Sequence, residues 1–178
     1  MDPVHLEPYE LIPVHQVNFD EVFAFFNRNR SLLLETTHRY ADEFSEHAIR
    51  SRLLRSAIES ERNYTFRYAI MINGRMVGYV RIIRLLEKTL NAADIQLIVD
   101  RDYQRIGYGT TIGTAVVKKA FKDLKFRKLT CTVLVNHHGA NRSLTKVGFR
   151  RVGTLRKNTY INGEWQDVNL YEIVNHEL

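Results

Sequence analysis

Only one cysteine, Cys131, occurs in the 178 residues. That excludes an internal disulfide and a zinc site built on several cysteines. All three prolines fall within the first thirteen residues, and no Pro/Gly/Ser-rich linker, repeat or low-complexity tract follows, so one continuous domain over residues 1–178 is expected. No apolar run approaches the roughly 18–20 residues that cross a bilayer. The start, Met1-Asp2-Pro3-Val4-His5, lacks the basic and apolar regions of a signal peptide. The expectation is a cytoplasmic chain with no membrane partner.

What is present is an ordinary globular balance, 44% apolar and 26% charged, enough to bury a core in a chain of this length. The formal charge of +6 favours polyanionic partners, a multiply phosphorylated nucleotide among them. The densest basic group, Lys118, Lys119, Lys122, Lys125, Arg127 and Lys128, has helical spacing and reads as a solvated face. With no aromatic RNA-binding motif beside it, a nucleic-acid partner is not expected.

Periodicity gives the elements. Residues 6–17 read as a lead-in strand. Helices follow over 20–29, with Asp20 as its cap, and over 45–61, with Ile49, Leu53 and Ala57 stepping along one face and Leu54 and Ile58 beside them. Strands over 66–72 and 75–84 flank Asn73-Gly74, a strong hairpin signal because both residues tolerate positive φ. Another strand spans 93–99, then a helix 110–124, a strand 129–135 with Cys131 facing inward, and a short helix 141–147. Strands over 149–157 and 168–174 lie either side of a second Asn-Gly pair, Asn162-Gly163. Hairpins coexist with a β-α-β crossover, so the fold class is α/β with a mixed sheet.

The chemistry concentrates between the 93–99 strand and the helix after it, in Gln104-Arg105-Ile106-Gly107-Tyr108-Gly109-Thr110. Glycines without side chains let backbone N–H groups approach a ligand, and the first helical turn adds unpaired donors and the positive end of a dipole. A diphosphate suits such a place; so does a plain tight turn. A Rossmann fingerprint does not fit, since Gly113 is poorly placed as a third glycine, and no Gly-Lys-Ser/Thr of a P-loop follows.

Gln104-x-x-Gly107-x-Gly109 matches the Q/R-x-x-G-x-G/A acetyl-CoA motif. About forty residues on, Ala140-Asn141-Arg142-Ser143-Leu144-Thr145-Lys146-Val147-Gly148-Phe149 matches a short helix ending in K-x-G-F. With both motifs in this order, the whole chain resembles the GNAT superfamily of N-acetyltransferases. Phe26-Asn27-Arg28-Asn29-Arg30-Ser31-Leu32-Leu33, Val152-Gly153-Thr154-Leu155-Arg156 and Asn162-Gly163-Glu164-Trp165-Gln166-Asp167 are similar to segments of its RimJ/RimL-type ribosomal-protein N-terminal acetyltransferases. Spermidine acetyltransferases share much of the same C-terminal half.

The resemblance implies a central mixed, mostly antiparallel sheet flanked by helices and splayed between its fourth and fifth main strands. Acetyl-CoA is the implied cosubstrate, with its pantetheine in the splay, a backbone N–H of Ile98 or Val99 polarising the thioester, and the diphosphate on Gln104, Arg105, Ile106, Gly107, Tyr108, Gly109 and Thr110. Asn136 and Asn141 are candidate contacts to the rest of the cofactor, Lys146 to a phosphate. A homodimer is also implied.

The acceptor amine must lose a proton before attack. Asp94 is the candidate base. Gln96 shares its strand face, and Glu35, expected in a loop overhanging the acceptor, is a candidate for recognising a cationic amine. The family's usual thiolate acids are replaced by Leu144 and Ala140, which leaves water, Tyr108 or Tyr160. His137 and His138 are adjacent on a loop and lack a second ligand group, so no metal is expected. The expected acceptor is a protein N-terminal amine. The alternatives are a small amine (polyamine, amino sugar, amino acid or aminoglycoside) and a non-catalytic CoA-binding module.

Overall fold

The computed structural model describes residues 8–36, 41–86 and 90–176, with the side chains of residues 41 and 42 left aside. Seven strands form one sheet in the order β1-β2-β3-β4-β5-β7-β6: β1 Glu10–Pro13, β2 Thr65–Ile72, β3 Arg75–Arg84, β4 Ala92–Val99, β5 Lys128–Leu134, β6 Arg150–Ile161 and β7 Glu164–Val174. All neighbours are antiparallel except β4 and β5. Helices α1 Phe19–Arg28, α2 Arg30–Thr36 and α3 Glu46–Glu61 cover one face; α4 Tyr108–Lys122 and α5 His138–Val147 cover the other.

Both Asn-Gly pairs make two-residue hairpin turns. Asn73 and Gly74 sit at φ 50° and 80°, Asn162 and Gly163 at φ 52° and 83°, and the flanking pairs Ile72–Arg75 and Ile161–Glu164 close directly. Mirror-image turns of this kind match strand twist, and asparagine and glycine adopt them at least cost. The second helix signature ends similarly. Gly148 is left-handed at φ 107°, which lets Phe149 N–H reach Leu144 O at 3.0 Å and turns the Phe149 ring into the core.

Several sequence expectations are corrected. The lead-in strand shrinks to Glu10–Pro13, because a 3-10 turn takes Val14–Gln16; residues 6 and 7 lie outside the described part. Asn18, not Asp20, caps α1, its Oδ1 accepting the Asp20 N–H at 2.8 Å. Helix α2 replaces a loop. In α3 the buried face is Ile49 and Ser56, while Leu54 and Ile58 are 73% and 51% exposed and belong to the outer surface. Helix α4 starts two residues early, at Tyr108, and α5 starts at His138. Strands β6 and β7 run further, joined as a long hairpin that projects past the core and is mostly exposed along β6.

Two cores sandwich the sheet. Ile112, Val116 and Ala120 of α4 pack with Ile70, Val80, Ile82, Ile95 and Leu129. On the opposite face Val22, Phe25, Phe26, Leu33, Phe44 and Ile49 pack with Ala69, Met76 and Tyr79. Each fully buried aliphatic or aromatic side chain contributes about 1.5–3 kcal/mol. Gly78 of β3 admits a close approach between strands: a Cβ there would stand 2.9 Å from Ile98 O and 2.4 Å from Ile70 Cδ1. Its missing side chain lets β4 lie flat against β3 where β4 prepares to leave the sheet.

Candidate active site

Strand β4 pairs with β3 along its whole length, Arg84–Ala93 through Gly78–Val99. With β5 it pairs only at Ala92–Lys128, Ala93–Leu129 and Asp94–Thr130. Beyond Asp94 the two strands part, while β5 stays zipped to β7 as far as Leu134–Val168. The result is a wedge between residues 95–99 and 131–134, open at the C-terminal ends of both strands, where open α/β sheets expose ligand-binding crevices. Ala93, Ile95, Leu97 and Val99 pack on the α4 side. Alternation turns Asp94, Gln96 and Ile98 to the α1–α3 side.

The chain leaves β4 through Asp100, makes a 3-10 turn at Arg101–Tyr103, and enters the glycine loop. Gln104 Nε2 donates to Val99 O at 2.9 Å, bracing the strand end. Arg105 and Gly107 are left-handed, at φ 66° and 103°, and Gly107 caps α4 with no side-chain bond. Thr110 and Thr111 N–H groups return to Gly107 O. Among the described residues, the N–H groups of Arg105, Ile106, Gly107 and Gly109 donate to no protein acceptor. These donors stand at the positive end of a fifteen-residue helix, beside the exposed Arg101 and Arg105. The combination suits a diphosphate. Tyr108 itself is buried at 3% exposure against Tyr103, its ring packed in the core beneath the loop.

Helix α5 comes close to α4. A Cβ on Gly109 would lie 3.6 Å from Ser143 Oγ, and one on Gly113 only 2.9 Å from Val147 Cγ2. Ser143 thus borders the start of α4. Asn141 is held within the protein: Nδ2 donates to Leu134 O at 3.0 Å and His137 O at 2.8 Å, and Oδ1 accepts from Asn169 Nδ2 at 2.9 Å and Tyr171 OH at 2.8 Å. All four bonding positions of this amide are filled, which makes it a joint between α5, β5 and β7. Asn136 is an exposed turn residue at the wedge's open end. With Val135, Trp165, Gln166 and Asp167 it lines a depression of about 260 Å³.

Asp94 stands at the closed end of the wedge. Thr130 Oγ1 donates to its Oδ1 at 3.4 Å. Burial pushes the carboxyl up to about 6, against the lowering pull of the Thr130 hydrogen bond and the Arg81 charge. Arg81 faces Gln96 across the β3–β4 ladder. Cys131 is buried, and its thiol is pushed up to about 12, first by burial and then by the nearby Asp94 charge; it stays protonated and inert as a nucleophile.

Glu35 is on helix α2, not in a loop, and accepts a hydrogen bond from Ser31 Oγ at 2.7 Å. Leu144 and Ala140 carry no hydroxyl. Tyr160 is half-exposed on the β6–β7 hairpin, edge-on to Trp165. His137 caps α5, its Nδ1 accepting the Ala140 N–H at 3.2 Å.

The sequence reading missed a polar clasp behind the loop. Asp100, 1% exposed, accepts from Arg28 Nε at 2.6 Å and from the Asp102 N–H at 3.1 Å. Arg28 also donates to Met76 O. Asn29, equally buried, accepts the Arg101 N–H at 3.2 Å. Burial alone would raise the Asp100 pKa, but the Arg28 hydrogen bond and the others lower it overall. The only signals in the sequence were a carboxylate closing an apolar strand and the Arg28-Asn29 pair, 72 positions apart.

Comparison with known proteins agrees with this geometry. Residues 10–150 match the acetyltransferase (GNAT) domain family, and the chain belongs to it as a GNAT N-acetyltransferase. It is 26% identical over 166 residues to "Probable N-acetyltransferase YjcK" of Bacillus subtilis, covering 92% of each chain. The ribosomal-protein-S5-alanine acetyltransferase of Vibrio fischeri has a similar fold, with TM-score 0.87, 21% identity, and coverage of 97% of this chain and 96% of that one. So does Mycobacterium smegmatis RimJ in complex with CoA-disulfide, with TM-score 0.86, 20% identity, and coverage of 99% and 85%.

Proposed function

We propose that the chain transfers an acetyl group from acetyl-CoA to a protein N-terminal amine, of the kind the ribosomal-protein acetyltransferases modify. The observation that carries this reading is the wedge between β4 and β5, which points at a glycine loop with four unengaged N–H groups. When bound, acetyl-CoA supplies an activated acetyl thioester. The main chain of 105–109 would hold its diphosphate, and Ile98 or Val99 N–H would favour negative charge on the thioester oxygen. Holding both reactants in line accounts for much of the rate, up to roughly 7–11 kcal/mol in favourable systems.

Asp94 supplies the proton acceptor. A carboxyl titrating near 6 is ionised at neutral pH and closer in basicity to an amine than an ordinary aspartate. Asp94 and Ile98 lie four residues apart on β4, roughly 13 Å at strand rise, so the proton reaches the carboxylate along a chain of waters, with Gln96 between them on the same face to orient the acceptor. Water protonates the departing thiolate, since no hydroxyl occupies positions 140 or 144.

The residues proposed for the acceptor side mix charges: Arg81 beside Asp94 and Gln96, and Arg30 with Glu35 on α2. Such a lining suits a peptide terminus better than a polycation. A thiol reagent that follows CoA release reads the outcome. Peptides with free N-termini should be turned over, with the acetyl group on the α-amine by mass spectrometry, and spermidine and amino sugars should be poor acceptors. Tight acetyl-CoA binding without turnover on any amine would make the chain a binding module instead.

A further inference from the structure

The clasp behind the glycine loop joins two regions with separate tasks. On one side lie Asp100 and Arg101, between the wedge strand and the loop. On the other lies the elbow between α1 and α2. Asn29 is the whole connection between those helices: its N–H and Nδ2 both reach Phe25 O, at 3.2 and 3.0 Å, and its own carbonyl accepts the Leu33 N–H at 3.0 Å. Its Oδ1 takes the Arg101 N–H, and its side chain also hydrogen-bonds the Asp100 carboxylate, helping to lower that pKa. Arg28, one residue earlier, grips Asp100. Leu33 anchors α2 in the core, and the same helix carries Glu35, the candidate for recognising the acceptor amine.

Asn29 and Asp100 are each 1% exposed, so losing either bond leaves a buried polar group short of a partner. A shift of Arg101, three residues before the loop, must therefore move the elbow or break the bond. We propose that Asn29 is a positioning residue that couples the cofactor loop to α2, so that filling the loop also fixes the acceptor wall. This rests on the acetyl-CoA reading of the loop.

Two substitutions cut the same bond from opposite ends. Asn29→Ala removes the acceptor but also the Nδ2 bond that caps α1. Arg101→Pro removes the donor together with the side-chain charge beside the loop, so Arg101→Ala, which loses the charge and keeps the N–H, is its reference. Arg101 opens a 3-10 turn, where proline is welcome, and Asp100 already has the extended backbone (φ −49°, ψ 139°) that precedes proline.

KM for acetyl-CoA should rise about five- to tenfold in Asn29→Ala over wild type and in Arg101→Pro over Arg101→Ala, the scale of one buried hydrogen bond, with kcat at saturating cofactor within about twofold. Hydrogen exchange of residues 30–36 should slow on adding acetyl-CoA to the wild type and not to either variant. Behaviour of Arg101→Pro equal to that of Arg101→Ala overturns the coupling and leaves Asn29 as a helix cap, even if Asn29→Ala is impaired or fails to fold. A wild type that binds no acetyl-CoA sinks the coupling and the proposed function together; a wild type that binds it beside variants that respond equally sinks the coupling alone.

Discussion

Asp94 holds a carboxyl where a charge is costly. Its folded pKa of about 6 lies above the ordinary value of 3.8, so the fold favours the protonated form. That contribution to stability is complete below about pH 4 and is lost as pH rises through 6. Asp94→Asn should therefore melt higher than wild type at pH 7, by on the order of 2 kcal/mol, with the gap closing towards pH 4 in a series of thermal melts. Turnover should behave oppositely: the wild-type rate climbs through about pH 6, and the variant loses roughly 10²-fold or more in kcat together with that limb. Gly107 is a second single-residue test. At φ 103° any side chain is strained by about 1–3 kcal/mol as well as intruding on the anion site. Gly107→Ala should lower both the melting temperature and acetyl-CoA affinity by calorimetry, and unchanged affinity would remove the loop from the site.

Between helices, α4 packs closely on α5 at Gly113 and Val147. Gly113→Ala should destabilise by about 1–3 kcal/mol, because its methyl would stand 2.9 Å from Val147 Cγ2 and push that branched side chain aside. Val147→Ala in the same chain should recover part of that loss in a double-mutant denaturation cycle, the signature of a direct contact.

At this scale the sequence was unevenly legible. The hairpins were readable because Asn-Gly encodes its own geometry, and the K-x-G-F ending because its glycine is the one residue easily left-handed. Helix α2 was hidden because seven residues after Asn29 carry no cap signal and too little periodicity. The α3 face was misjudged because Leu54 and Ile58 point to solvent, which an apolar pattern alone cannot reveal. The far part of the β6–β7 hairpin was truncated because a strand exposed on both faces has no alternation to detect. The Asp94 environment needed Thr130 and Arg81 from two other strands, and the Asn29 clasp needed a partner 72 positions away. Neither is a local property.

Considered whole, the molecule is two blocks of sheet, β1 to β4 and β5 to β6, joined along the sheet by three residue pairs. A ligand lying in the wedge bridges the blocks. At a hundredfold excess over its Kd, acetyl-CoA should add about 2.7 kcal/mol, seen as a rise of several degrees in melting temperature and slower hydrogen exchange at residues 95–99 and 131–134.

That narrow seam has a bearing on the protein's lifetime. If acetyl-CoA completes the sheet as proposed, the seam should open more often when that thioester is scarce, and an opened seam is what a protease finds first. Starved of the thioester, the chain should be digested faster in limited proteolysis, with early cuts near the seam. Its abundance would then follow the supply of the compound it consumes.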